Sequence, residues 1–130
     1  MWFDALHGKE KINFMFNNEL SLHDAEFENI LFYDMSRVRI CFKTRHVPKS
    51  IPDKWKKKPF NGLSVTLELV GINKLELKGN RVGFKCTPII KRLGGEVEIL
   101  IEYSDVFLFS CTAEVIAIGS IEPYQDRRWV

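Results

Sequence analysis

Apolar and polar residues alternate with a period of two through most of the chain after residue 23. Because successive side chains of a β-strand point to opposite faces of a sheet, this period predicts half-buried strands rather than helices. A run over 106–118 is apolar on both faces, which is typical of a covered central strand. We therefore predict a mainly β fold (β or α+β), an antiparallel, meander-like sheet or sandwich of about seven strands.

Residues 1–20 lack this alternation and favour two short helical turns. The second turn ends at Asn17-Asn18, since asparagine suits turns better than helix interiors. Several aromatic side chains of the two turns are expected to dock onto the sheet: Trp2, Phe3, Phe14 and Phe16.

The segment 24–46 predicts a β-hairpin with a tight turn at Asp34-Met35. Its register brings together two apolar and two oppositely charged pairs: Phe27 with Phe42, Leu31 with Val38, Asp24 with Arg45, and Glu26 with Lys43. Opposite charges across a ladder stabilise it by about 0.2–1 kcal/mol per pair. Both faces of the hairpin thus favour one register.

A second hairpin is predicted at Gly79-Asn80, because glycine readily adopts the positive φ that tight turns require. Its register brings together two apolar pairs: Leu77 with Val82, and Leu75 with Phe84. Between the two hairpins, a loop over 47–61 contains three prolines, which disfavour both a helix and a central strand. At about fifteen residues this loop exceeds ordinary connections, and loops of that length are often functional.

The length of 130 residues predicts one domain over 1–130, large enough for a core without disulfides or metals. Charged side chains at Asp4, Lys9 and Glu10 interrupt the apolar stretch that a secretory signal requires. No window approaches the ~20 apolar residues of a membrane span. We therefore expect a cytoplasmic protein that does not enter a membrane.

No catalytic, metal-binding or cofactor-binding pattern stands out. His23 and Asp24 are adjacent in a strand and point to opposite faces, so they do not converge on a metal ion. Acidic residues within 24–28 and 96–102 alternate with apolar ones and fit solvated strand faces. The three cysteines lie far apart in apolar runs: Cys41, Cys86 and Cys111. We predict no catalytic residue, no metal and no cofactor, and hence a protein that is not an enzyme.

The proline-containing loop carries the chain's most asymmetric charge. Residues 43–58 include seven basic and one acidic residue, a net charge of +6, whereas the remaining chain has twelve basic and sixteen acidic residues. The predicted partner-binding residues are consecutive: Lys54, Trp55, Lys56, Lys57 and Lys58. Three interpretations stay open, namely an aromatic hot spot for a protein partner, a base-stacking platform for nucleic acid, and a solvated loop whose tryptophan caps the sheet.

A set of landmarks runs in order along nearly the whole chain. They are Trp2, then Phe16, Leu20, Leu22 and Asp24 before the hairpin, Pro52-Asp53-Lys54-Trp55, Leu63-x-Val65-x-Leu67, Leu75-x-Leu77, Phe109, Ala113 and Tyr124. In this order they resemble the immunity protein 50 family of bacterial polymorphic toxin systems. The resemblance implies a cytoplasmic, non-enzymatic protein without cofactors that neutralises a cognate toxin by direct stoichiometric binding.

Two alternatives remain beside this implication. One is a single-stranded nucleic-acid-binding module that uses the basic Trp55 loop, which a sequence pI of about 8.4 and an acidic remainder disfavour. The other is a small enzyme or ligand-binding barrel, which requires a deep polar cavity in the sheet. The sequence does not decide whether a toxin faces the basic loop or the acidic strand over 96–102, nor does it indicate the oligomeric state.

Overall fold

A computed structural model describes residues 1–129, and of Trp129 the backbone alone. Val130, the last residue of the predicted domain, lies outside the described residues. Within them, seven β-strands follow one another: β1 Ala25–Tyr33, β2 Arg37–Thr44, β3 Gly62–Lys78, β4 Phe84–Cys86, β5 Ile89–Leu93, β6 Glu96–Tyr103 and β7 Phe107–Tyr124. They form one antiparallel sheet in the order β4-β1-β2-β3-β7-β6-β5. The predicted mainly β, antiparallel fold is confirmed, as one sheet rather than a sandwich.

The helical segments are short. In the described chain they are the α-helix α1, Glu10–Phe16, and two 3₁₀ helices, Asp53–Lys57 and Arg127–Trp129. Helix α1 ends where predicted, because Asn17 adopts the left-handed conformation at φ 51°. No helix among residues 1–129 has the length and apolarity needed to cross a lipid bilayer.

The β1–β2 hairpin has the predicted register at Glu26 and Phe27, does not extend to the predicted Asp24–Arg45 pair, and is shifted in the half next to its turn. Two predicted pairs are present: Phe27 with Phe42, and Glu26 with Lys43. The register then shifts between Phe27 and Asn29, so that Glu28 is an extra residue in β1 and Phe32, not Leu31, pairs with Val38. The predicted Leu31–Val38 pair is therefore wrong, because period-two counting does not foresee an inserted residue.

The predicted hairpin at Gly79-Asn80 is wrong. Strand β3 continues to Lys78 and pairs with β7, which provides two different partners: Cys111 for Leu75 and Phe109 for Leu77. After the turn, β4 lies beside β1, where Phe84 pairs with Phe27. The Phe84 ring also stacks on Tyr103 with ring centroids 4.6 Å apart. Burial of Phe84 among aromatic rings of the core outweighs the local preference for a hairpin.

The sheet curls around its own apolar face. Its edge strands, β4 and β5, are consecutive in the chain and separated by Thr87 and Pro88 alone, so both edges lie close to one another. Phenylalanine side chains from four different segments fill the interior and are fully buried: Phe16, Phe27, Phe42 and Phe109. Helix α1 and the 3₁₀ helix Asp53–Lys57 each contribute to this core, through Phe16 and Trp55.

Candidate functional site

The five residues predicted to bind a partner, 54–58, lie in and just after the 3₁₀ helix Asp53–Lys57. The four lysines are exposed, whereas Trp55 is only 8% exposed. The Trp55 ring packs between Phe16 of α1, at 5.5 Å between ring centroids, and Phe60, at 6.2 Å. The structure thus brings the lysines to the surface and places the tryptophan beneath them, as the structural interpretation of the loop requires. The role of these residues in partner binding stays a prediction.

Helix α1 is held against the same end of the sheet by the chain that precedes it. The His7 N–H donates to the carbonyl of Ile116, and the Ile118 N–H donates to the carbonyl of His7, both at 2.9 Å. The indole N–H of Trp2 donates to the carbonyl of Leu20 at 2.8 Å. These bonds fix α1 beside β7 and give it a defined position next to the lysine-bearing loop.

Three surface depressions of the described chain meet at Lys54. The largest of the three, of about 710 Å³, is lined by the apolar side chains of Phe14, Met15 and Pro52 and by Lys11 and Lys54. Two smaller ones, of about 410 and 400 Å³, adjoin it beside Trp55. We call the surface formed by α1, residues 52–60 and residues 119–125 the helix–loop face.

The helix–loop face combines an exposed aromatic ring with unpaired cations. Phe14 is 92% exposed, although the same helix buries Ile12 and Phe16 completely. Among residues 1–129, no acidic group lies within ion-pair distance of the loop's other three lysines, whereas Lys56 pairs with Asp53 at 3.2 Å. Those three are Lys54, Lys57 and Lys58. Such a surface suits an acidic partner that also offers an apolar side chain.

A charged cluster fixes the C-terminal segment that borders the helix–loop face. Asn61 and Asp126 exchange two side chain–backbone hydrogen bonds of 2.8 Å. The Arg128 guanidinium donates to Asp126 at 2.6 Å and to Glu26 of β1 at 3.0 Å. Its hydrogen bonds to Asp126 lower the pKa of that carboxyl to about 2. Because Tyr124 and Gln125 line the depression beside Trp55, this cluster shapes one wall of the face.

The outer side of β1 and β2 carries a second charged group. The Lys43 ammonium lies 3.0 Å from Glu28 and 4.6 Å from the centroid of the Tyr124 ring. Burial raises the pKa of Tyr124, and the carboxylates of Asp126 and Glu26 act in the same direction. Glu26 stays opposite Lys43 in the β-ladder, but its carboxylate binds Arg128, while the Lys43 ammonium binds Glu28 at the register shift.

The histidine and cysteine side chains occupy separate places. Within residues 1–129, no three His, Cys, Asp or Glu side chains lie close enough together to hold a metal ion. His23 Nδ1 lies 3.3 Å from the Thr87 hydroxyl. Cys86 and Cys111, the two inner cysteines, are buried, and burial raises the pKa of each thiol to about 12. Cys41 is half-buried, with its sulfur 3.2 Å from the hydroxyl of Ser64.

Sequence reasoning missed two parts of this site. Phe14 was expected to dock onto the sheet, but the i, i+4 spacing of Ile12 and Phe16 defines the buried face of a helix and leaves Phe14 outside it. The ion pair between Arg128 and Glu26 joins residues about one hundred positions apart, and a local sequence pattern does not predict such a contact.

Comparison with known proteins gives one family. No curated protein and no solved structure shows a significant match to the chain. The model of the immunity protein 50 family matches residues 8–124, which include α1, the lysine-bearing loop and all of the strands described above. The match covers most of the chain and ends at the last residue of β7, before Arg128. The chain belongs to the immunity protein 50 family.

Proposed function

We propose that the chain neutralises a cognate toxin of a bacterial polymorphic toxin system by direct, stoichiometric binding in the cytoplasm of the producing cell. Membership of an immunity protein family supports a non-catalytic, toxin-binding role. Binding of this kind needs a surface that is complementary to the toxin, and no chemistry of the chain's own.

The observation that carries the proposal is the helix–loop face. Its uncommitted lysines provide long-range attraction to an acidic surface, which accelerates association and discriminates against like-charged proteins. The loop of Lys54, Lys56, Lys57 and Lys58 is therefore assigned to toxin contact, with Trp55 as the side chain that supports it from below. A basic toxin would instead favour the acidic strand β6, which is the alternative contact surface.

The nucleic-acid alternative loses its main support in this arrangement. Stacking on a base requires an accessible face of the aromatic ring, and Trp55 is only 8% exposed, with Phe16 and Phe60 in contact with it. The net charge of +2 and the sequence pI of about 8.4 also fall short of a dedicated nucleic-acid-binding domain, so we propose a single function.

Co-expression tests the proposal. The chain is expressed in a bacterial host together with the product of the gene immediately upstream, and growth is recorded with and without the chain. We expect the upstream product to be toxic alone, harmless with the chain present, and recovered with the chain at equal stoichiometry on purification.

The control is the same strain with the chain replaced by an unrelated small β protein, which should not restore growth. Persistent toxicity in the presence of the folded chain, with no complex recovered, would contradict the proposal.

A further inference from the structure

We propose that the groove beside Phe14 holds an apolar side chain of the toxin that is flanked by carboxylates. This inference rests on the proposed function and adds the chemistry of the toxin segment that binds. The occupant is one segment of the toxin, with an apolar residue in the groove and acidic residues facing its lysines.

The groove offers an apolar surface to a partner, which is provided mainly by α1. Three apolar side chains line the groove between α1 and the loop: Phe14, Met15 and Pro52. Phe14 is 92% exposed, so nearly its whole ring is available to an incoming side chain. Aromatic anchors that become buried in this way contribute disproportionately to protein–protein affinity.

The groove is also surrounded by positively charged side chains. Lys11 and Lys54 line the groove, together with one acidic residue, Glu10. The Lys11 ammonium is held 3.3 Å from the carbonyl of Gly119, which positions its charge without neutralising it. Lys54 also lines the adjoining depression that contains Lys57 and Lys58. A carboxylate on either side of the inserted residue would therefore meet a cation as the groove loses water.

The groove is preorganised, which lowers the entropic cost of binding. One wall is α1, fixed to β7 through His7 and closed at its C-terminus by Asn17. The other wall is the loop, fixed from below by Trp55. Because the backbone of both walls is tied to the core, binding has to order the contacting side chains but not the chain that carries them.

The lysines and Phe14 are expected to affect different rate constants of toxin binding. Long-range attraction to the lysines raises the association rate and is screened by salt, whereas contact with Phe14 slows dissociation. Removal of the Phe14 ring is expected to raise Kd on the order of 10- to 100-fold, mostly through faster dissociation. Reversal of the Lys54 charge is expected to lower the association rate and weaken its salt dependence.

Surface plasmon resonance with an inactivated variant of the upstream gene product tests the inference. Phe14→Ala and Lys54→Glu are compared with two matched controls, Phe32→Ala and Lys74→Glu. Phe32 is 57% exposed and lies next to the turn between β1 and β2. Lys74 is exposed and lies in the C-terminal half of β3, whereas the loop precedes the N-terminal end of that strand. Thermal melting of each variant shows that it is folded, and Phe14→Leu should recover part of the lost affinity.

Loss of affinity in Phe14→Ala and Lys54→Glu, with both controls at the wild-type Kd, supports the inference. If the wild-type chain binds and neutralises the toxin but all four variants bind equally well, the groove is not the site, and the proposed function still stands. If the wild-type chain does not bind the toxin at all, the proposed function and this inference both fail.

Discussion

Replacement of Trp55 by alanine is expected to destabilise the fold rather than remove a contact with a partner. The side chain is only 8% exposed and packs against Phe16 and Phe60. A tryptophan buries roughly 150–250 Å² of largely apolar surface, and each Å² contributes about 25 cal/mol. Allowing for the surface that alanine still buries, we expect a loss of about 3–5 kcal/mol in the free energy of unfolding, in line with other large-to-small core substitutions.

Urea unfolding followed by far-ultraviolet circular dichroism measures this loss without relying on the fluorescence of the removed ring. Thermal melting should show a fall in Tm of roughly 10–20 °C. Lys57→Ala is the matched control from the same 3₁₀ helix, and its stability should stay within about 0.5 kcal/mol of the wild type. A Trp55→Ala protein that loses less than about 1 kcal/mol but no longer binds the toxin would refute this reasoning, since Trp55 would then act at the surface.

Three further measurements address the turn after β3, the C-terminal cluster and the thiols. Gly79→Ala should lower the free energy of unfolding in urea by more than Gly94→Ala. Both glycines have a positive φ, but an added Cβ would meet a ring carbon of Phe107 at 2.8 Å at Gly79 and nothing within 4 Å at Gly94. The lowered pKa of Asp126 stabilises the fold above the ordinary carboxyl pKa. The wild type should therefore exceed Asp126→Asn in unfolding midpoint above about pH 4, with the difference shrinking toward pH 2. Iodoacetamide at neutral pH should label half-buried Cys41 before the two inner cysteines, whose raised pKa and burial protect them, as mass spectrometry of timed samples can show.

Much of the fold could be predicted because alternation in a strand is a local signal. A few neighbouring residues suffice to predict that Phe27 pairs with Phe42 and that α1 ends at Asn17. The extra residue at Glu28 could not be predicted, since a bulge leaves each half of the strand with the same period and changes only how the halves are joined.

The partner of β4 was not predictable for a different reason. Gly79-Asn80 is a strong local signal for a hairpin, but the pairing of Phe84 with Phe27 depends on how the whole sheet curls. A contact between residues so far apart depends on burial in the complete core, and it cannot be predicted from the residues around the turn.

The candidate site divides in the same way. The exposed lysines of the loop were predictable from composition, while the burial of Trp55 depends on α1 and could not be decided from the loop alone. The position of Phe14 was within reach of the sequence, because Ile12 and Phe16 define the buried face of a single helix.

Titration of toxin activity with the purified chain tests the central claim most directly. A fixed amount of the toxin, in an assay of its own activity, receives increasing amounts of the chain at concentrations well above Kd. Stoichiometric binding predicts a linear loss of activity that reaches completion at one equivalent of the chain. Complete loss at a small fraction of one equivalent would indicate catalytic inactivation, and unchanged activity in excess chain would indicate no neutralisation; either result would contradict the account.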